Sequence, residues 1–160
     1  MRAALLTIST SRAATGGPDE SGEELERFVR SLGGEVVLRE IVSDERATIE
    51  ERLSAWSDER RCELILTTGG TGVAPRDVTP EATRAAIERE VPGLAEAMRL
   101  ASREHTRHWM LSRGVAGIRG GTLIVNFPGS PRSIAQAGAA IADALPHALA
   151  LLAGGGSEHR

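Results

Sequence analysis

The chain has no lysine: all 19 of its basic side chains are arginine, set against 22 acidic ones for a formal net charge of -3. That absence excludes a Walker-type phosphate loop, whose lysine reaches the terminal phosphates of a nucleotide. Tyrosine is missing too, and the aromatic residues number four: Phe28, Trp56, Trp109 and Phe127. A net acidic chain with so few stacking platforms lacks the basic stripe that a nucleic-acid surface needs. The one cysteine, Cys62, has no partner for an internal disulfide, which suits a reducing, cytoplasmic setting. No apolar run approaches the roughly 18 residues of a spanning helix, so no membrane partner is expected. The stretch Ala3–Ile8 is broken by Ser9–Thr10–Ser11–Arg12 too soon for a signal-peptide core and reads as a buried first strand.

What is present describes one ordinary domain. A length of 160 residues with 41% hydrophobic and 26% charged side chains can bury a real core and is not disordered. A single domain over residues 1–153 and a frayed tail over 154–160 are expected.

Short apolar runs alternate with amphipathic segments. After the first strand, residues 9–20 read as a polar loop. Ser21–Gly22–Glu23–Glu24 forms a capping box, opening a helix with Leu25, Phe28, Val29 and Leu32 on one face and a stop at Gly33–Gly34. Residues 35–42 suit a second strand and residues 45–56 a second helix, with Ile49, Leu53 and Trp56 at helical spacing. Cys62–Thr67 is a short, nearly all apolar third strand, the pattern of a strand covered on both faces. Thr79 as N-cap with Pro80 at the first helical position starts a helix to about Glu90, and Pro92 starts another to about His105. Val115–Arg119 and Thr122–Phe127 form a hairpin about Gly120–Gly121. Ser130–Pro131 repeats the cap-plus-proline signal before a last helix towards Leu152, broken near Pro146. Strands alternating with helices predict an α/β fold, its sheet mostly parallel with helices on both faces and a short antiparallel hairpin. Ligands in such folds sit beyond the carboxyl ends of the strands.

Three strand-to-helix loops could carry chemistry. In Thr67–Thr68–Gly69–Gly70–Thr71–Gly72 the glycines allow close backbone approach, and successive amides can form an anion-binding nest. Thr68 and Thr71 add hydroxyls, and Arg76 can clamp a phosphate oxygen. Asp77 beside such a site suits a bridging Mg²⁺ or a proton-handling group, or else is a surface cap. Asn126–Phe127–Pro128–Gly129–Ser130 is a second candidate anion loop, in which Ser130 is more simply a helix cap. Asp44 is either an N-cap or a second carboxylate facing Asp77. His105 and His108 lack a further ligand and do not suggest a zinc site, and Cys62 reads as packing.

Thr67–Thr68–Gly69–Gly70–Thr71–Gly72 followed by Pro75–Arg76–Asp77–Val78–Thr79–Pro80–Glu81 resembles the signature of the MogA/MoaB family of molybdenum cofactor biosynthesis proteins. Pro92–Gly93–Leu94, Ser112–Arg113, Ala116–Gly117–Ile118–Arg119 and Asn126–Phe127–Pro128–Gly129–Ser130–Pro131 match in order and spacing. The match runs from the first strand to about Leu152. Ser112–Arg113–Gly114–Val115–Ala116–Gly117 and the Leu145–Pro146–His147–Ala148–Leu149 end look closer to the MoaB branch.

The resemblance implies a three-layer α/β/α domain that assembles as a homotrimer or a dimer of trimers. It implies Mg²⁺-dependent transfer of AMP from ATP to the terminal phosphate of molybdopterin, releasing pyrophosphate; a non-catalytic molybdopterin-binding or assembly protein is the alternative. Asp44 and Asp77 match the catalytic, Mg²⁺-holding acids. Thr68, Gly69, Gly70, Thr71, Gly72 and Arg76 match one substrate loop, and Asn126, Pro128, Gly129 and Ser130 a second. Asp19, Ser21 and Gly22 match an element before the first long helix, and Ser112 a further contact. The chain departs from the common pattern at Ser11, often aspartate in relatives, and at Glu20, often lysine.

Overall fold

A computed structural model describes residues 1–154. Along the chain run β1 (Arg2–Ile8), α1 (Thr10–Thr15), α2 (Glu20–Ser31), β2 (Glu35–Val42), α3 (Arg46–Asp58) and β3 (Leu64–Thr68). Then come α4 (Thr79–Ala86), β4 (Arg89–Glu90), α5 (Pro92–Ser102), a 3-10 turn (Trp109–Leu111), β5 (Ala116–Arg119), β6 (Thr122–Phe127), α6 (Pro131–Ile141) and α7 (Ala144–Leu152). Six strands form one sheet in the order β2-β1-β3-β6-β5-β4. The first four in that order are mutually parallel, and β5 and β4 are joined to them by antiparallel pairings. The expected tail falls, from residue 155 onward, outside the described residues.

Alternation along each central strand sorts its side chains onto two faces. Ala3 and Leu5 of β1, Leu64 and Leu66 of β3, and Leu123, Val125 and Phe127 of β6 pack against α2, α5, α6 and α7 through Leu25, Val29, Met98, Ile134 and Leu145. Ala4, Leu6, Ile65 and Ile124 point the other way, onto Ile49, Leu53 and Trp56 of α3 and Ala82 of α4. The three layers expected of the fold are therefore present, with a core on each side of the sheet. Among the described residues no single helix is long and apolar enough to cross a membrane; the α6–α7 pair is bent by 66° and faces the first core.

Several element boundaries differ from the sequence expectation, each for a local reason. Residues 10–15, expected as loop, form α1, capped by Ser9, whose hydroxyl accepts from Arg12 N, and closed by left-handed Gly16. Asp19, not Ser21, caps α2: its Oδ1 accepts from Gly22 N at 3.0 Å, while Ser21 is buried in the first turn. Thr79 lies inside α4 and sends its hydroxyl to Gly69 O at 2.9 Å instead of capping. α4 stops at Ala86 because the following chain turns to pair Arg89 and Glu90 with Ile118 and Gly117 of β5. The last helical region breaks at residues 142–143 rather than at Pro146, which sits in the first turn of α7 where proline sacrifices no helical bond. α5 ends at Ser102, so His105 and His108 lie in the loop beyond it and do not share a helical face.

Candidate active site at the carboxyl edge of the sheet

Parallel β1, β2, β3 and β6 deliver their final residues to one edge, with Thr7, Thr68 and Phe127 in lateral register. Antiparallel β5 starts at that edge, so the chain entering it belongs to the same region. A cleft of about 130 Å³ opens there, lined by Ser9, Thr10, Ser11, Asp44, Gly70, Arg76 and Asp77 together with Ile8. Folding thus brings together two carboxylates 33 positions apart in sequence, numbers 44 and 77.

Asp44 does not cap α3, whose N-cap is Glu45 with no side-chain bond to a helix amide. Its Oδ2 accepts from Thr10 Oγ1 at 2.8 Å and Thr10 N at 3.1 Å, and its own N donates back to Thr10 Oγ1. Oδ1 has no hydrogen bond among the described residues and lies 3.3 Å from where a Cβ on Gly70 would stand. Asp77 Oδ2 accepts from Ala74 N at 3.0 Å and would lie 2.8 Å from a Cβ on Gly72. Gly70 and Gly72 therefore make room for the two acids. Each acid is oriented by one oxygen and leaves the other without a partner among the described residues. Exposed Arg76, with no hydrogen bond or ion pair among the described residues, is the cation available there. Arg12 is turned away, donating to Pro18 O at 3.1 Å. Glu20 is exposed in the first turn of α2 and does not line the cleft.

The loop carrying Asp77 is held by a residue whose role has no local signal. Arg113 donates from Nε to Gly72 O at 2.7 Å and from Nη2 to Asp77 O at 2.8 Å, and its Nη1 pairs with Glu81. Its backbone N adds a bond to Thr71 O at 2.8 Å. The guanidinium holds the Glu81 carboxyl below the usual carboxylate range. The sequence places Arg113 in a supporting motif; its three-way clasp depends on long-range packing.

The second loop is tied to the first. Buried Thr68 donates to Pro128 O at 2.6 Å, Ser21 donates to Gly129 O at 2.6 Å, and Ser130 caps α6. Asn126 is buried with its amide engaged, donating to Thr67 and Thr83 hydroxyls and accepting from Val115 N. Asp19 joins elements: it accepts from Thr7 Oγ1 at 2.9 Å and pairs with Arg39 from β2. Gly22 sits so close that an added Cβ would fall 2.1 Å from Asp19 Oδ2. Beyond Pro128, away from the carboxylates, a second cavity of about 170 Å³ is lined in part by Arg99, His108, Trp109, Ser112 and Asn126. Asp19, Ser21, Gly22 and Thr68 thus shape the edge, whereas Gly70, Arg76, Asp44 and Asp77 face the first cleft and Ser112, Asn126 and Pro128 the second.

A family model described as a probable molybdopterin binding domain matches residues 4–147. The chain belongs to the MogA/MoaB molybdopterin-binding family. The molybdopterin biosynthesis enzyme MoaB from Thermus thermophilus has the same fold, with a TM-score of 0.89 and 46% identity over 96% of each chain. A molybdopterin adenylyltransferase of Helicobacter pylori strain J99 is 46% identical over 115 residues, 72% of this chain and 65% of that protein. The molybdenum cofactor synthesis protein cinnamon of Drosophila melanogaster is 42% identical over 149 residues, 92% of this chain. The chain spans a quarter of the length of cinnamon and just under two thirds of the Helicobacter protein.

Proposed function

We propose that this member of the family is a molybdopterin adenylyltransferase, moving AMP from ATP to the terminal phosphate of molybdopterin and releasing pyrophosphate. The observation that carries the reading is the convergence of Asp44 and Asp77 on one polar cleft, each oriented by one oxygen and open at the other. The name of the Helicobacter relative supports it.

The two carboxylates suit Mg²⁺, a hard cation usually held by one or two carboxylates with phosphate and water oxygens completing its shell. Among the described residues no group of three or more metal-ligating side chains is assembled, which fits an ion arriving with a triphosphate better than a resident one. Bound there, Mg²⁺ would neutralise charge on the phosphates. Asp44 and Asp77 orient the nucleotide, the Gly69–Gly72 backbone approaches the phosphates closely, and Arg76 offers the cation that a lysine supplies elsewhere. In-line attack by the pterin phosphate on the α-phosphorus needs positioning and charge compensation more than covalent help from the protein.

The test is to incubate the protein with molybdopterin, ATP and Mg²⁺ and to measure adenylylated pterin and pyrophosphate. Wild type turns over. Asp77→Asn, which keeps an acceptor for Ala74 N, loses about 10²-fold or more while its circular dichroism is unchanged. Near-normal turnover in Asp77→Asn sinks the assignment. Pterin binding without product from wild type would favour the non-catalytic alternative.

The reading includes a homotrimer. Val73, Met110 and Leu111 are 64%, 64% and 45% exposed, and the Arg113 clasp holds their two loops together. Large apolar side chains left exposed on these loops favour burial against another copy.

A further inference from the structure

We propose that Thr10 is a positioning residue for the carboxylate cleft, and that its hydroxyl makes α1 a strap whose order is coupled to the pose of Asp44. The hydroxyl closes a ring with that one residue. Its proton goes to Asp44 Oδ2 at 2.8 Å, and its oxygen accepts from Asp44 N at 3.1 Å. Thr10 N gives Oδ2 a second donor at 3.1 Å. A hydroxyl has a single proton to give, so in this arrangement Thr10 does not also donate to a bound phosphate. Its use is to pin Asp44. Both donors fall on Oδ2, which leaves Oδ1 on the side of Gly70. The carboxylate is thus ordered before a ligand arrives, and binding loses less conformational entropy.

The helix that carries Thr10 has little else to hold it. None of the six residues of α1 is buried. Its other side-chain bonds are local: Ser9 accepts from Arg12 N, Thr15 donates to Ser11 O, and Arg12 donates to Pro18 O. Among the described residues, every hydrogen bond that residues 10–15 make beyond Pro18 goes to Asp44. Just before the helix, Ser9 N donates to Val42 O at 2.9 Å and anchors the chain to the end of β2. Just after it, Gly16 turns the chain at φ +64°. Six residues fall well short of the roughly 12–15 that a free helix needs. Opening the Thr10 latch therefore loosens α1 between these two pivots.

The latch lies in the wall of the site. Ser9, Thr10 and Ser11 line the cleft together with Asp44 and Asp77, so whatever fills the cleft meets the first turn of α1. A ligand that engages the open Asp44 oxygen favours the pose that the latch holds. By linkage, a closed latch favours that ligand by the same factor. The inference rests on the proposed transferase function only for what fills the cleft, which is the nucleotide; the coupling rests on the hydrogen bonds of the chain itself.

Thr10→Val keeps the branched shape and the bond from the backbone N but removes the hydroxyl; Thr10→Ser restores it. Two readouts test the coupling. Without nucleotide, amides of residues 10–16 should exchange faster with deuterium in Thr10→Val and in Asp44→Ala than in wild type, with Thr10→Ser close to wild type. By calorimetry with ATP and Mg²⁺, Thr10→Val should bind about tenfold more weakly and Thr10→Ser like wild type. Nucleotide should slow the exchange of α1 in wild type and do so far less in Thr10→Val. Unchanged exchange in either Thr10→Val or Asp44→Ala overturns the proposal. So does wild-type ATP affinity in Thr10→Val, the result expected if Thr10 only supports the local fold. An affinity that depends on Thr10 in a protein that makes no adenylylated pterin would refute the transferase reading and leave the latch standing; turnover with unchanged ATP affinity in Thr10→Val would do the reverse.

Discussion

At the scale of single residues, the site depends on where side chains are missing. Gly70 has φ +66°, and a Cβ there would stand 2.3 Å from Thr79 Oγ1 and 3.3 Å from Asp44 Oδ1. Gly70→Ala must bear the left-handed penalty of about 1–2 kcal/mol and displace two groups that frame the cleft. The expected outcome is a melting temperature lower by several degrees, at about 2–4 °C per kcal/mol for a chain of this size, with at least tenfold weaker ATP binding by titration. Gly120→Ala is the control: φ is +56° with nothing within 4 Å of the added carbon, so it lowers the melting point without touching ATP affinity. The sequence announced the glycines because clustered glycine is itself unusual. It left Asp44 ambiguous because an acid ahead of a helix reads as a cap, and Thr10, the partner that turns it into the cleft, lies 34 residues away.

At the scale of elements, Arg113 clasps the Asp77 loop at Gly72 O and Asp77 O. Arg113→Lys keeps the charge but replaces a planar fork with a point charge that cannot reach Gly72 O, Asp77 O and Glu81 together. Turnover should fall about tenfold or more, and amides of residues 70–77 should exchange faster with deuterium in mass spectrometry; equal exchange would show that the loop holds itself. The pair also has a pH signature. Arg113 lowers the folded-state pKa of Glu81, so its stabilising contribution is complete above the ordinary glutamate range and is lost as pH falls through the depressed value. Denaturant titrations of Glu81→Gln against wild type should therefore differ above that range and converge in acid. The main elements were legible from periodicity, with residues 35–42 and 122–127 matching the expected strands end to end. α1 and β4 were not, because six residues without an apolar stripe and two residues on a sheet edge lie below what a repeat can signal. Their stability comes from Ser9 and from pairing with β5.

At the scale of the whole molecule, two cores share one sheet and leave Val73, Met110 and Leu111 exposed on the loops that Arg113 ties together. The proposed trimer predicts a sedimentation mass near three times the 16.9 kDa chain. It also predicts that Val73→Asp and Met110→Asp, at positions already exposed, lower that mass without lowering helix content. A wild-type protein that sediments as a single chain would remove the trimer.

The reversal at β5 has an engineering consequence. It places the beginning of that strand at the site and sends the Gly120–Gly121 turn to the opposite edge. Neither turn glycine has a neighbour within 4 Å of an added carbon. A peptide tag or fluorescent reporter spliced into that turn would interrupt none of the loops that form the two cavities, giving a point of attachment on the side remote from the chemistry.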